Sequence, residues 1–179
     1  VGFHHVAIAT RDLETSHRFY TDAMGFRLVK VQVAPTGSAS GGWAKHLFYD
    51  TGDSGMLALW DLHDDDIPEA FDPAISTGLG LPEWVNHLAF DAPTLDALTA
   101  HCRRWQQYGI DVVELDHGWC RSIYATDPNG ILVEFCCTLE PCTTADADDA
   151  RRLLADPAPP LGELPGVTIH PALVADQER

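Results

Sequence analysis

Two histidines open two stretches that are versions of one another, and a glutamate closes the second copy. His4-His5-Val6-Ala7-Ile8-Ala9 matches Asn86-His87-Leu88-Ala89-Phe90-Asp91, and the second copy runs on through Tyr124 to Glu134. Internal pseudo-symmetry would bring His5, His87 and Glu134 to a common point. Two imidazoles and one carboxylate, with coordination positions left open, form the set that non-haem Fe(II) oxygenases use. Strand alternation places Phe3, Ala7 and Ala9 on the side of His5, with Val6 and Ile8 opposite. Likewise Val85, Ala89 and Asp91 share the side of His87, with Leu88 and Phe90 opposite. The bulkier residues are expected to pack on a helix, leaving each histidine on a concave face near small alanines. Glu134 follows the same logic, with Leu132 and Cys136 beside it and Ile131, Val133 and Phe135 facing the helix. A carboxylate in such a strand is expensive to bury unless something pairs with it, and a divalent cation would do so. His4 becomes the ligand if the register slips by one; the match to His87 selects His5.

The elements that must position these groups repeat along the chain. A strand is expected over residues 3–9, and a helix over 12–24 with Leu13, Phe19, Tyr20 and Met24 near one face, closed by Gly25. Strands follow at 26–34, 43–49 and 56–61, with a flexible loop over 37–42 and a tight turn over 50–55. The second copy has a strand over 84–90 and a helix over 93–108, with Leu95, Leu98, Cys102 and Trp105 at helical spacing. Its remaining strands are expected at 110–115, 120–126 and 131–137. His5 aligns with His87, Leu13 with Leu95, Gly25 with Gly109, Tyr49 with Tyr124 and Gly55 with Gly130. The fold class is therefore α+β: two βαβββ modules, 1–61 and 83–138, joined by a Pro-containing linker over 62–82. The modules are expected to form one curved mixed sheet around a metal site, with helices outside. A tail over 139–179 carries a short helix at 144–155 and then prolines that keep it extended. It packs along the body or on a second subunit.

Bulk properties narrow the function classes. The 179 residues carry 11 basic and 27 acidic side chains, a net charge of -16. Such a surface repels polyanions, which argues against nucleic acid and anionic membranes as partners. Neither a membrane-spanning apolar run nor a signal peptide is visible. Five cysteines without a Cys-x-x-Cys pair read as reduced thiols in a cytoplasmic protein.

Around Glu134 the spacing becomes specific. The run is His117, five residues, Ile123, Tyr124, two residues, Asp127, Pro128, Asn129, Gly130, three residues, Glu134. In this it resembles the vicinal oxygen chelate superfamily, and within it the type I extradiol ring-cleaving dioxygenases; only Leu115, two before His117, is unusual. The resemblance covers about residues 2–138. It implies that His5, His87 and Glu134 hold Fe(II), Mn(II) or another divalent metal, that a small aromatic diol chelates it, and that O2 takes the next position. It further implies that His117 stabilises the reacting dioxygen and that Tyr124 hydrogen-bonds a substrate oxygen. Tyr124 and Glu134 flank the Asp127–Gly130 turn with the same facing parity, so both can line one cavity. Trp119 and Ser122, close to these groups, are candidate substrate contacts. Homodimers are common in the superfamily, and the tail would suit one.

Two departures qualify the resemblance. Aligning Gly55 with Gly130 puts Leu59 opposite Glu134, so the first copy supplies no further carboxylate, unlike four-ligand members such as glyoxalase I. The acid–base histidine of ring-cleaving relatives falls on Gly55; His46 could replace it, although parity with Tyr49 points it away. Three functions follow from these residues: an extradiol dioxygenase, a metal-dependent lyase or isomerase, and a protein that binds a small aromatic ligand.

Overall fold

A computed structural model describes residues 2–52 and 54–173. The first module comprises β1 (His5–Thr10), α1 (Leu13–Arg18), β2 (Arg27–Pro35), β3 (Trp43–Gly52) and β4 (Gly55–His63). The second comprises β5 (His87–Asp91), α2 (Leu95–Tyr108), β6 (Val112–Asp116), β7 (Cys120–Thr126) and β8 (Leu132–Thr138). The tail adds α3 (Thr144–Ala155) and β9 (Gly166–His170). Both repeats are βαβββ. No helix among the described residues is long and apolar enough to cross a membrane.

Local sequence explains the helix boundaries. The Asp12 carboxylate accepts from the Thr15 amide at the start of α1, and the Thr94 hydroxyl from the Ala97 amide at the start of α2. Gly109 ends α2 in the left-handed region, at φ 96°. The helix expected over 12–24 departs from regularity: α1 passes into a π-helical turn, Phe19–Ala23. The wider turn lets Phe19, Tyr20 and Ala23 all reach the interior.

The single curved sheet expected from the repeat is instead two sheets. One has the order β1-β4-β3-β2, the other β5-β8-β7-β6-β9. In each, the first strand lies at an edge, parallel to the last strand of its repeat. The reason lies in what each helix covers. Ile8, Tyr20, Leu47, Tyr49, Leu57 and Leu59 of the first module share one core with Leu98, Trp105, Ile123, Val133 and Phe135 of the second. Phe26 sits 4.9 Å from Phe90, ring centroid to centroid. The helix-side faces of the modules thus pack on each other. By strand alternation, the faces bearing His5 and bearing His87 with Glu134 turn away from this shared core.

Polar groups fasten the same junction. The Tyr20 hydroxyl donates to Asp127 Oδ2 across the modules at 2.7 Å. Asp127 also accepts from the Asn129 and Ile131 amides, each at 2.8 Å, and from Asn129 Nδ2. Asn129 Nδ2 reaches Ser16 Oγ at 3.2 Å, and Ser16 bonds Thr10. The Asp-Pro-Asn-Gly turn, read above as part of a catalytic signature, is therefore also the clasp between modules. Burial and the Asp127 carboxylate push the Tyr20 phenol well above its ordinary value, so it stays a donor. On the other side, Arg104 donates to the Met24 carbonyl at 3.1 Å, tying α2 to the end of the first module's helix.

The tail returns to its own chain. β9 pairs antiparallel with β6, making a fifth strand that the prolines around it concealed. α3 carries a Thr143–Asp146 capping box and buries none of its residues. The chain beyond residue 173 lies outside the described residues. The loop after β2 and the linker after β4 are tied together where Thr36 and Ser40 donate to Asp64.

Candidate functional site

The second module brings four of the expected side chains into a chain of contacts. Its registers put Ala89 beside Glu134 and Glu134 opposite Tyr124, one row across three strands. His87, at the start of β5, places Nε2 at 3.1 Å from Glu134 Oε2. His117, in the β6–β7 loop, places Nε2 at 3.3 Å from the Tyr124 hydroxyl. Glu134 is 5% exposed. Burial pushes the Tyr124 phenol up to about 12, and the Glu134 carboxylate adds to the shift. Tyr124 is therefore a neutral hydrogen-bond donor at pH 7.

The orientation of His87 carries chemical information. Its Nδ1 lies 3.0 Å from the Trp84 carbonyl oxygen, which has no proton to give. Nδ1 must donate, so a neutral ring directs the Nε2 lone pair at the Glu134 carboxylate. Two acceptors face each other at 3.1 Å. A cation satisfies both, whether a proton or a metal ion. A carbonyl holding the far nitrogen of a metal-binding histidine is the usual supporting contact for such a ligand. Sequence reasoning missed Trp84 because its contribution is a backbone oxygen, which no residue type announces.

The first module carries its own half. His5 lies on β1 with its Nδ1 2.8 Å from His4 Nδ1, and its ring centroid is 6.0 Å from that of His46 and 5.5 Å from that of Phe48. His46 stacks on Trp60 at 3.7 Å, with its Nε2 buried and without a hydrogen-bond partner. Burial lowers its pKa, so it is neutral at pH 7. His46 thus shares the face of His5, contrary to the parity expectation. The alignment of Tyr49 with Tyr124 is one residue out. Tyr49 faces the core, fully buried, with its hydroxyl 3.0 Å from His17 Nδ1. Phe48 opposite Ala58 is the true counterpart of Tyr124 opposite Glu134. The two hairpins are equally long, ten residues separating Phe48 from Ala58 and Tyr124 from Glu134; Ser54, at φ 68°, and not Gly55 takes the place of Gly130, at φ 74°. Ala58 rather than Leu59 therefore occupies the place of Glu134, and neither can ligate.

His5 does not join His87 and Glu134 within the chain: among the described residues no three His, Cys, Asp or Glu side chains gather as a metal-holding group. His5 on β1 and the His87–Glu134 pair thus stand apart where the sequence predicted one centre. Of the remaining candidates, Ser122 is wholly buried on the Tyr124 strand. Trp119 is 52% exposed at the hairpin tip, its carbonyl accepting from the Leu139 and Glu140 amides. All five cysteines are free thiols.

Residues 2–135 match the profile of the Glyoxalase/Bleomycin resistance protein/Dioxygenase superfamily. Among solved structures, a glyoxylase/bleomycin resistance protein/dioxygenase domain from Frankia sp. EAN1pec is 18% identical, with a TM-score of 0.54 over 77% of this chain and 98% of that one. An antibiotic binding protein from Streptomyces sp. CB03234 is 20% identical, with a TM-score of 0.50 over 77% and 96%. The fosfomycin resistance protein FosX from Listeria monocytogenes is 15% identical, with a TM-score of 0.52 over 82% and 97%. At these identities the likeness is one of fold. No curated protein matches the chain.

Proposed function

The chain belongs to the glyoxalase/bleomycin resistance protein/dioxygenase superfamily, and from that premise we propose that it is a divalent-metal lyase or isomerase, built as a homodimer, for a small molecule with two adjacent oxygens. The observation that carries this reading is the 3.1 Å approach of His87 Nε2 to Glu134 Oε2, with Nδ1 already committed to a carbonyl. These two groups fit a metal ion, and His5 of a second copy is the third ligand. β1 and β5 are both free sheet edges, and they carry His5 and His87 at their first residues. Laying β1 of one protomer beside β5 of the other unites the halves twice, once at each symmetry-related site.

When bound, the metal would polarise the substrate oxygens as a Lewis acid. The chain's own groups do the rest. Tyr124, neutral at pH 7, donates to a substrate oxygen beside Glu134. His117 exchanges protons with the Tyr124 hydroxyl. His46, held neutral beside His5, is the base that takes a proton from the carbon next to an oxygen.

A second reading, O2-dependent cleavage of a catecholic ring with Fe(II) or Mn(II), is favoured by the His117–Tyr124–Glu134 run lying on one face. Simple ligand sequestration is the third; one protein of similar fold is described as antibiotic binding.

Metal titration and subunit mixing test the proposal. His5→Ala and Glu134→Ala are each expected to lose tight Mn(II) binding. An equal mixture, unfolded and refolded together, should regain about a quarter of the wild-type sites, because only mixed dimers rebuild one intact centre. Wild-type affinity in His5→Ala, or no recovery on mixing, would overturn the shared centre. Oxygen uptake with catechol by the Fe(II)-loaded protein would select the second reading. Binding that survives Glu134→Ala without turnover would select sequestration.

A further inference from the structure

The superfamily match ends at residue 135, and the strand donated by the tail extends the site beyond it. β9 pairs with β6 so that Ile169 lies opposite Val113, and Val167 opposite Leu115. Followed across the sheet, one row reads Ile169, Val113, Tyr124, Glu134, Ala89. The next reads Val167, Leu115, Ser122, Cys136, Asp91. Residues in a row share a face, so Val167 and Ile169 stand on the face of Tyr124 and Glu134. With strands roughly 4.8 Å apart, Ile169 lies roughly 10 Å from Tyr124 along its row.

The chemistry of β9 is inverted for an exposed edge. Outer strands normally turn polar or charged residues to water. Here Ile169 is 67% and Val167 62% exposed on the outward face, while Thr168 and His170 point to the helix side. A slip of one residue would correct this, yet the register is fixed from several directions. His170 Nε2 meets Glu114 Oε2 at 2.9 Å, the Ala172 amide donates to Asp111 at 2.7 Å, and Gln106 Nε2 donates to the Pro171 carbonyl at 2.8 Å. The helix side holds β9 in place, and that hold forces two branched apolar side chains into the open beside Tyr124. The approach to β9, Glu163–Gly166, also lines a cleft with His117 and Gly118.

We infer that β9 sets substrate specificity: Val167 and Ile169, continued by Val113 and Leu115, form an apolar shelf for a hydrocarbon or aryl extension of the substrate. The inference rests on the reading that the oxygen-bearing end sits at His87 and Glu134. The occupant is a small molecule rather than a second subunit, because the subunit contact proposed above runs along β5, the opposite edge of this sheet.

Calorimetry under nitrogen with the Mn(II)-loaded protein provides the test, using catechol, butylcatechol, hexylcatechol and hexylbenzene. Each buried methylene should raise affinity severalfold, so hexylcatechol should bind about tenfold tighter than butylcatechol. In Val167→Gln and Ile169→Gln, both at exposed positions and checked by circular dichroism, this gain should shrink to less than about twofold while catechol binds as before. A gain equal in wild type and variants, or no gain at all, overturns the inference. So does dissociation of the dimer in the variants with the gain intact, which would make the shelf a subunit contact. If catechol fails to bind but hexylbenzene binds in a shelf-dependent way, the shelf stands and the placement of the oxygens falls. If catechol binds and alkyl length adds nothing, the reverse holds; if none of the compounds binds, both fall.

Discussion

On the proposed reading, Tyr124 acts apart from metal holding. Its hydroxyl faces His117 at 3.3 Å and its strand neighbour is Glu134, yet it stands outside the proposed ligand set of His87, Glu134 and His5. Tyr124→Phe is expected to leave Mn(II) affinity within about twofold of wild type and to lower kcat by about a hundredfold, the range for removing one aimed donor or proton-transfer group. Paired metal titrations and turnover assays check both halves. At this scale the sequence was legible where strand parity alone decides. His87 and Glu134 do meet, and parity put them on one face. It was illegible where a glycine match misled: Ser54, at φ 68°, and not Gly55 stands in the place of Gly130, so Tyr49 faces the core and His46 shares the side of His5. It was also silent on the Trp84 carbonyl, a contact that depends on backbone geometry alone.

Among elements, the Asp127 turn ties the modules together beside their shared core. Asp127 is 4% exposed and accepts from Tyr20, Ile131 and both nitrogens of Asn129. Asp127→Ala leaves those donors buried without partners and is expected to destabilise the protein by about 2–5 kcal/mol. Tyr20→Phe, which removes one donor together with its need, should lower stability by only about 1 kcal/mol. Urea unfolding of both variants gives the comparison. The repeat predicted every strand and helix of the two modules because hydrophobic period and turn residues are local signals. β9 escaped notice because its five residues stand among prolines, and its partner β6 lies about fifty residues earlier.

For the molecule as a whole, the shared core makes folding and pH response common to both modules. His101 of α2 stacks on Phe135 at 3.7 Å, and its Nδ1 lies 3.2 Å from Arg104 Nη1. Burial first, then the Arg104 charge, lowers its pKa from 6.5 to about 4. The folded protein therefore refuses a proton that the unfolded chain accepts. Stability from this group is complete above pH 6.5 and declines as pH falls toward 4, by about 1–2 kcal/mol after allowance for solvent screening. Denaturant midpoints at pH 7.5 and 5 should show the decline, and His101→Gln, which keeps an acceptor for Arg104, should flatten it. The architecture of each module was readable from the repeat; their mutual arrangement was not. Alternation tells which residues share a face, but not which two faces will meet. The aromatic rings of Phe26, Phe90 and Phe135 decided that, at a distance no local pattern encodes.

The bare margins of β1 and β5 have a colloidal consequence. Each offers neighbours a row of unsatisfied amides, the template on which strands stack indiscriminately. A net charge of -16 keeps such encounters apart unless the match is good enough to outweigh the repulsion. Salt should relax that guard. Light scattering on dilute protein is expected to show tighter self-association at 0.5 M than at about 0.05 M sodium chloride, where the screening length is several times longer. Acidity, in this molecule, would act as a proofreader of assembly.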